Sequence, residues 1–449
     1  MKGLHVGLDF GTSNSGVAVY DGSQLNILPL DPDSPAPGVI KTVMYITKEY
    51  QHAIGQEAIN LYYRDNINRP RRFVTKWIGE ADFTGGELFY VRDLYMEIDE
   101  LTPGRLLQYI KTGLRSKGYT GTRVFDRFYS IQEIISMYLS ELKERSERLL
   151  GESISGVTLG RPVHFFDNDP DLDRQSQETL RQAALQAGFE EVEFEFEPIA
   201  AALYYETTVR KPQNVLIFDF GGGTLDITIM RLGEPGRRKV YATGGIGIAG
   251  SDFDHLIIQK QMLEHFGKGH FPDDPRIETL IDALSEWEVL PELSTPTVRT
   301  LLQKTMKTSD VPARLKALES IIYNDLAFSF YNKVEAAKIQ LSGESASLFR
   351  MEESDIHIWE LLTRWRFDQD IEEPADRIYE CLMDTIQRSG LGVYDIDAAI
   401  KTGGSSNIPF FTEMLERVFG KDHVVNTNTF SSVTAGLAVR AYEQQANPE

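Results

Sequence analysis

Short apolar runs, each followed by a polar turn, mark two places where the chain repeats itself. Residues 6–13 are Val-Gly-Leu-Asp-Phe-Gly-Thr-Ser, and residues 216–224 are Leu-Ile-Phe-Asp-Phe-Gly-Gly-Gly-Thr. A second apolar run follows each turn, at residues 17–19 and 227–229. Because two runs of β-forming residues around a glycine-containing turn are typical of a hairpin, the sequence predicts a β-hairpin at both places. The spacing from Asp9 to Asp219 indicates a duplicated domain.

Amphipathic helices and further strands complete the predicted pattern, which is that of an α/β protein. The clearest helix runs from Ser130 to Leu150, with apolar residues on one face and charged residues on the other. The remaining predicted elements are a strand from Gly156 to Gly160 before an Arg161-Pro162 turn, a helix from about Arg174 to Ala187, a strand around Val192–Phe196, a helix from Glu197, a glycine-rich turn at Gly247–Asp254 leading into a helix from Phe253 to Phe266, and a strand at Ala398–Ile400 that ends in Gly403-Gly404-Ser405-Ser406. Residues 269–311 contain several prolines and are predicted to form an appended subdomain.

The repeat extends beyond the hairpins. The strand that begins at Gly156 resembles the strand that begins at Ala398, and the alanine-rich helix at residues 200–203 resembles the one at residues 435–438. Small residues on both helices predict a close helix crossing, as at a hinge between lobes; the alternative is that alanine is simply a good helix former.

Composition excludes several classes of protein. The 449 residues include 46 basic and 67 acidic side chains, and the net charge of −21 argues against a sequence-independent nucleic-acid binder. The single Cys381 cannot form an intramolecular disulfide and is expected to be a buried thiol. No apolar run approaches the ~20 residues that span a bilayer, and the first strand leaves no room for a signal peptide. We therefore expect a cytoplasmic protein without membrane or nucleic-acid partners.

The residues of the hairpin turns have the chemistry of a polyphosphate site. Glycine lets a turn approach a ligand closely and point its N–H groups at an anion. Asp9 and Asp219, at the ends of the first strands, can hold a hydrated divalent cation. The sequence has no Gly-x-x-x-x-Gly-Lys-Ser/Thr motif, and residues 221–223 precede a β-rich run instead of a helix, so P-loop and Rossmann sites are not supported.

Six motifs in this order resemble those of the ATPase domain of the seventy-kilodalton heat-shock chaperones (DnaK type), and most closely its divergent YegD-like branch. They are residues 7–15, 197–202, 218–226, 250–254, 335–338 and 402–405. The resemblance covers almost the whole chain and implies an actin-like ATPase fold, made of duplicated ribonuclease H-like domains in two lobes around a nucleotide cleft. It places lobe I at residues 1–212 and 428–449, and lobe II at residues 213–427 with the insertion near residues 269–311.

The resemblance also implies a role for each matching residue. Thr12 and Ser13 would hold the β- and γ-phosphates of ATP or ADP, Asp9 and Asp219 the hydrated Mg²⁺, and Glu197 a water of its shell, with K⁺ as a further candidate cation. Lys76 matches the lysine that orients the attacking water, and Thr224 and Asp226 would flank that water. The catalytic group would then be Lys76, Glu197, Asp219, Thr224 and Asp226. The remaining nucleotide-binding residues would be Gly11, Asn14, Gly221, Gly222, Gly223, Gly250, Ser251, Asp252, Glu335, Lys338, Ile339, Gly403, Gly404, Ser405 and Asn407.

Departures from the family pattern affect the adenine site and the partners. Ile339 and Asn407 stand where the chaperones stack arginine on adenine, which removes two cation–π contacts of ~0.5–2 kcal/mol each. Glu193 replaces an arginine used with J-domain partners, and this charge reversal argues against J-domain stimulation. The sequence ends shortly after the second alanine-rich helix, so we expect no peptide-binding domain in it.

These inferences predict a magnesium-dependent ATPase that acts as a chaperone-like or regulatory nucleotide switch. Two alternatives remain: a nucleotide-binding scaffold with little turnover, and a small-molecule kinase of the actin superfamily. Client or regulatory proteins are the expected partners, and we expect the chain to be a monomer.

Overall fold

A computed structural model describes residues 3–34, 36–66, 69–85, 88–166, 169–234, 237–286, 289–324, 326–353, 355–427 and 431–446. The strands are β1 (Leu4–Phe10), β2 (Asn14–Tyr20), β3 (Leu25–Ile27), β4 (Ile40–Lys41), β5 (Val43–Thr47), β6 (His52–Ile54), β7 (Phe73–Gly85), β8 (Leu88–Asp99), β9 (Gly104–Gln108), β10 (Gly121–Val124), β11 (Arg127–Ser130), β12 (Ile154–Arg161), β13 (Glu191–Phe196), β14 (Gln213–Phe220), β15 (Leu225–Leu232), β16 (Lys239–Ile246), β17 (Ala346–Glu353), β18 (Ile356–Thr363), β19 (Ala398–Thr402) and β20 (Val424–Asn426).

The helices are α1 (Gly55–Asn66), α2 (Ile131–Leu150), α3 (Pro170–Gln186), α4 (Glu197–Glu206), α5 (Gly250–Ile257), α6 (Pro275–Asp282), α7 (Pro296–Met306), α8 (Pro312–Tyr323), α9 (Ala327–Gly343), α10 (Arg364–Asp370), α11 (Glu372–Ser389), α12 (Pro409–Phe419) and α13 (Ser432–Ala446). None of the helices within these described ranges is long and apolar enough to cross a membrane.

Two sheets of matching topology confirm the predicted duplication. The first sheet has the strand order β13-β12-β1-β2-β3, and β4 also pairs with β2. The second has the order β20-β19-β14-β15-β16. In each sheet an antiparallel hairpin lies beside two parallel strands, which are joined to each other by a helix. The chain is an α/β protein with an actin-like ATPase fold.

Most predicted elements appear near their predicted bounds, and the differences have local causes. The Ser130 side chain and Glu133 form a reciprocal capping box, which starts α2 where the sequence places it. Helix α3 starts four residues earlier than predicted, because Asp169 caps its first turn and Pro170 suits the first helical position. Helix α5 starts at Gly250 instead of Phe253 and gives way to a π-helical turn at Ile258–Met262.

The two alanine-rich helices cross closely, as their small residues predict. A Cβ atom at Gly436 of α13 would lie 1.6 Å from the carbonyl oxygen of Ala200 on α4. Helix α13 also packs on the first sheet, where a Cβ at Gly7 would lie 2.1 Å from the backbone nitrogen of Ala438. Glycine is therefore required at both positions for backbone atoms to come this close. A hinge function for this crossing stays a prediction.

The chain divides into two compact units. One comprises Met1–Asp65, Gly104–Gly250 and Glu373–Glu449, and the other comprises Asn66–Pro103 and Ser251–Glu372. The first unit contains both matching sheets, the three-stranded sheet β6-β5-β9 and the hairpin β10-β11. It also contains Cys381, whose thiol is half-buried and has its pKa raised by burial. The predicted lobes have other boundaries and stay a prediction.

The second unit contains two separate hairpins, helices α6 to α10, and all of α5 except its first residue. Strands β7 and β8 form a long hairpin that the sequence did not predict, and β17 pairs with β18. The guanidinium of Arg299 on α7 bonds to Glu97 on β8 at 2.8 Å and lies over the rings of Phe73 and Tyr323. This contact ties the long hairpin to the predicted appended segment, whose described part includes α6 and α7.

Candidate functional site

The turns of the two repeated hairpins face each other within the first unit. A Cβ atom at Gly222 would lie 2.8 Å from the Ser13 hydroxyl, and one at Gly223 would lie 2.5 Å from the Thr12 hydroxyl. The side chains of the first turn therefore occupy space that the second turn leaves empty. Hydroxyl groups and glycine backbone meet here as in a cradle for an anion.

Hydrogen bonds from outside the first turn fix its shape. The backbone N–H of Thr42 donates to the carbonyl of Ser13 at 2.9 Å, and the Thr42 hydroxyl donates to the carbonyl of Gly11 at 2.9 Å. The Thr42 and Ser15 hydroxyls also lie 2.9 Å apart. Asn14 begins β2 and pairs with Lys41 of β4. The turn at residues 11–14 is thus held from one side, and the Thr12 and Ser13 side chains extend from the other.

Three other predicted site residues, Ser405, Gly250 and Gly403, lie next to the second turn. The carbonyl of Gly221 accepts bonds from the Ser405 hydroxyl at 2.7 Å and from the N–H of Gly250 at 3.1 Å. Gly403 has a φ of +79°, and a Cβ there would lie 2.3 Å from the carbonyl oxygen of Phe220. Gly404 and Asn407 belong to the short helix that follows Gly403, and both are exposed.

Four carboxylates form an acidic centre beside the two turns: Asp9, Glu197, Asp219 and Asp226. Burial, followed by the negative charge of Glu197, raises the pKa of Asp9 to about 7 and that of Asp226 to about 7. Burial and the other three carboxylates raise the pKa of Asp219 well above its ordinary value. Burial is the largest cause of these shifts, and repulsion among the carboxylates adds to it.

Strand register and two close contacts position these carboxylates. Asp226 lies directly opposite Asp219 in the second hairpin. Its Oδ1 accepts the backbone N–H of Val163 at 2.7 Å, and a hydrogen bond from Thr224 favours its ionised form and so lowers its pKa. Glu197 is the first residue of α4, and Gly160 leaves room for its side chain, because a Cβ there would lie 3.2 Å from Glu197 Cγ.

A buried lysine that the sequence analysis missed belongs to the same centre. The ammonium group of Lys111 lies 2.5 Å from Glu197 Oε1, and the residue is only 5% exposed. Its positive charge opposes the rise in the pKa values of Asp9 and Asp219. Lys111 is carried by the short helix Ile110–Leu114, which is buried through its two apolar ends. The only local signal for it is a lysine that directly follows Ile110 and lies three positions before Leu114.

The structure describes Lys76, the lysine chosen from the family resemblance, outside the first unit. It is an exposed residue of β7, in the second compact unit. The acidic centre of the first unit contains Lys111, and the role predicted for Lys76 stays a prediction.

The predicted ribose and adenine residues of the second unit form their own cluster. Lys338 of α9 is buried and pairs with Asp254 of α5 at 2.7 Å. Burial raises the pKa of Asp254 to about 7, although Lys338 opposes this rise. Glu335 is half-buried on the same helix, whereas Ile339 is 59% exposed. Ser251 and Asp252 lie in the first turn of α5.

The acidic centre fits a hydrated divalent cation better than a directly bound one. In the described ranges no three His, Cys, Asp or Glu side chains are grouped closely enough to ligate one ion directly. The donors are carboxylates whose ionised forms are disfavoured by burial and mutual repulsion. Mg²⁺ keeps several of its waters and prefers oxygen donors, so Asp9, Asp219 and Glu197 suit it through water.

Duplicated sheets of this topology, with the turns of their hairpins facing each other, define the actin-like ATPase fold. A family model described as "Hsp70 protein" matches residues 5–276 and 324–446. The chain is 26% identical to the chaperone protein dnaK3 of Synechococcus elongatus, and equally to the chaperone protein DnaK 1 of a Synechococcus species. Both matches cover 98% of this chain, which spans 50% of each relative's length. This chain belongs to the Hsp70 family.

Proposed function

We propose that this chain binds ATP with Mg²⁺ and hydrolyses it to ADP and phosphate. The observation that carries the proposal is the buried Lys111–Glu197 contact, at 2.5 Å, in an acidic centre beside two facing glycine-containing turns. Backbone N–H groups, hydroxyls and a lysine are the groups that spread and neutralise the charge of a transferring phosphoryl group. Family membership supports the same conclusion.

The two turns would hold the phosphates from opposite sides. The hydroxyls of Thr12 and Ser13 would contact the β- and γ-phosphates, and the backbone of residues 221–223 would donate from the other turn. Gly11 and Asn14 shape the first turn. Asp9 and Asp219 would bind the waters of Mg²⁺, with Glu197 binding a further one, and the cation would offset the charge that raises their pKa values.

Lys111 is the residue we assign to the role that the resemblance gives to Lys76. A buried ammonium group 2.5 Å from Glu197 can bind a phosphate oxygen and orient the attacking water. Asp226, whose Oδ1 accepts the Val163 N–H, would orient the same water. Thr224 keeps the ionised form of Asp226 populated through its hydrogen bond.

The resemblance assigns nucleoside-binding roles to residues of each unit, and we propose these roles for each unit separately. Gly403, Gly404, Ser405 and Asn407 follow β19 in the first unit, next to Gly250. Ser251, Asp252, Glu335, Lys338 and Ile339 lie in the second unit and keep their predicted roles as part of this proposal. We also retain the two predicted lobes and K⁺ as a second cation.

The cellular role we propose is a nucleotide-controlled switch that acts on client or regulatory proteins. The two relatives are named chaperones, and this chain spans half of their length. Glu193 is exposed on β13, so its negative charge would disfavour stimulation by a J-domain partner.

A scaffold that binds nucleotide with little turnover is the second candidate. It is favoured by Ile339, which is 59% exposed and has no cation to stack on adenine. Titration calorimetry with Mg·ATP and Mg·ADP, together with phosphate release, separates the two. The ATPase proposal expects binding of both nucleotides and phosphate release that EDTA abolishes. Binding without release supports the scaffold, and no binding at millimolar nucleotide contradicts both.

A further inference from the structure

A second positively charged side chain, that of Arg115, extends to the facing turns from the end of the helix that carries Lys111. Arg115 directly follows the short helix Ile110–Leu114, and its backbone N–H donates to the carbonyl of Thr112. It lies four positions after Lys111, whose ammonium group bonds to Glu197. The guanidinium of Arg115 instead donates to the carbonyl of Gly223 in the second turn. One short helix thus presents two cations to different parts of the candidate site.

The guanidinium lies where the two turns meet. The point that a Cβ of residue 223 would occupy is 3.4 Å from Arg115 Nη1 and 2.5 Å from Thr12 Oγ1. The absence of a side chain at Gly223 is what lets a cation and a hydroxyl group approach the same place. Both groups are donors toward an anion, and neither belongs to the second turn itself.

Arg115 retains hydrogen-bonding capacity for a ligand. A guanidinium has five N–H donors, and here Nη1 is bonded to Gly223. Its Nε is buried and has no hydrogen-bond partner among the described residues. The positive charge also opposes the rise in the pKa of Asp226, so its field extends to the acidic centre. A half-buried guanidinium with an unbonded Nε favours binding of a phosphate group, whose oxygens accept its paired N–H donors.

We propose that Arg115 binds the terminal phosphate of a bound nucleoside triphosphate. The inference rests on the ATPase proposal, and it adds a residue that distinguishes the triphosphate from the diphosphate. Lys111 would contact that phosphate from the Glu197 side, and Arg115 would contact it from the Gly223 side. The diphosphate lacks the group that Arg115 would bind, so Arg115 would contribute little to its affinity.

The test compares affinities for two nucleotides. Titration calorimetry of the full chain with magnesium uses ADP and a non-hydrolysable imido analogue of ATP, on wild type, Arg115→Ala, Arg115→Lys and the control Lys117→Ala. Lys117 is exposed and carries the same charge. A lost charge-assisted bond predicts that Arg115→Ala weakens binding of the analogue about 10- to 100-fold, with ADP binding changed less than about twofold. Arg115→Lys should restore part of the loss, and Lys117→Ala should match wild type.

Several outcomes would overturn the inference. If Arg115→Ala weakens both nucleotides equally, the residue only supports the Gly223 turn; if it weakens neither, it binds no phosphate. Thermal unfolding without nucleotide shows whether Arg115→Ala folds. If it does not, the test uses Arg115→Lys, which should lose more affinity for the ATP analogue than for ADP. A wild type that binds neither nucleotide contradicts the ATPase proposal itself. A wild type that binds both, with unchanged Arg115 variants, contradicts only the role of Arg115.

Discussion

The two repeated hairpins have the same topology but contribute different chemistry. The first turn supplies the hydroxyl side chains of Thr12 and Ser13, whereas the second supplies the bare backbone of Gly222 and Gly223. The side chains of the first turn occupy the space that the glycines of the second turn leave open. Duplication therefore provides the scaffold, and divergence at two matching positions of the turns makes the two copies complementary.

The two hairpins also contribute different numbers of carboxylates to the acidic centre, as their strand registers show. In the first hairpin Asp9 lies opposite Gly16, and in the second Asp219 lies opposite Asp226. The second copy therefore carries an additional carboxylate, next to the backbone N–H of Val163. We assign the shared aspartates to the metal and the additional one to the attacking water.

The strands beneath the turns also differ. Gly7 in β1 lies against the backbone of α13, and the corresponding residue of β14 is Ile217, which packs in a separate apolar core cluster with Ala200 and Leu437. The first copy depends on the absence of a side chain, and the second depends on a large apolar one. A larger side chain at Gly7 should therefore destabilise the fold by a clash, whereas a smaller one at Ile217 should destabilise it by leaving a cavity.

The largest effect is expected from Gly7→Ala. Its new Cβ would lie 2.1 Å from the nitrogen of Ala438, a backbone atom that cannot move aside without shifting α13. We expect the free energy of unfolding to fall by about 3 kcal/mol. Urea unfolding followed by circular dichroism measures this change.

A matched glycine substitution provides the control for Gly7→Ala. A Cβ at Gly343, the last residue of α9, would meet no atom within 4 Å. Gly343→Ala should leave stability unchanged or raise it by up to about 1 kcal/mol. Equal stability of Gly7→Ala and wild type would contradict the close packing of α13 on β1.

A smaller effect, on binding alone, is expected from Gly223→Val. The added side chain would occupy the space of the Thr12 hydroxyl, 2.5 Å from the Cβ position, and of the Arg115 guanidinium. We expect Mg·ADP affinity to fall about 100-fold by calorimetry, with little change in thermal stability. Gly221→Ala is the matched control, because its Cβ would have its nearest neighbour at 3.9 Å, and its affinity should stay within about fivefold of wild type. Equal losses in both variants would mean that the turns do not complement each other.

The smallest expected effect is a release of protons when Mg·ADP binds. Asp9 and Asp226 have pKa values of about 7, so each is partly protonated at pH 7 in the free protein. A bound cation favours their ionised forms, so binding should release about one proton and affinity should rise from pH 6 to pH 8. Calorimetry with preformed Mg·ADP in buffers of different ionisation enthalpy measures the release.

The comparison of the hairpins makes this last prediction sharper. Asp226 has a glycine as its counterpart in the first copy, so Asp226→Asn should reduce the proton release without abolishing it. Net proton uptake by the wild type would contradict the proposed acidic centre.

The sequence predicted the repeated hairpins well, because glycine, aspartate and alternating β-formers are local signals. It also predicted the close crossing of α4 and α13 from their small residues. It gave no indication of the long hairpin β7-β8. The helical segment that begins with α5 ends at Phe266, where the sequence places its end, but its later turns are π-helical and 3-10 instead of α-helical.

The lysine that we assign to the proposed site could likewise not be chosen from local sequence patterns. Motif resemblance points to Lys76, whereas burial and pairing with Glu197, 86 positions away in the chain, single out Lys111. Arg115 was also missed, because its contact with Gly223 spans 108 positions. Such residues are identified only when the fold brings distant segments together.

The central claim is that the acidic centre around Lys111 hydrolyses ATP, and phosphate release by two lysine variants tests it most directly. Lys111→Ala should slow turnover at saturating Mg·ATP by about 100-fold or more while retaining Mg·ADP binding, because a positioned cation at the transferring phosphate is lost. Lys76→Ala should turn over ATP at close to the wild-type rate. A normal rate for Lys111→Ala, together with a lost rate for Lys76→Ala, would contradict the account.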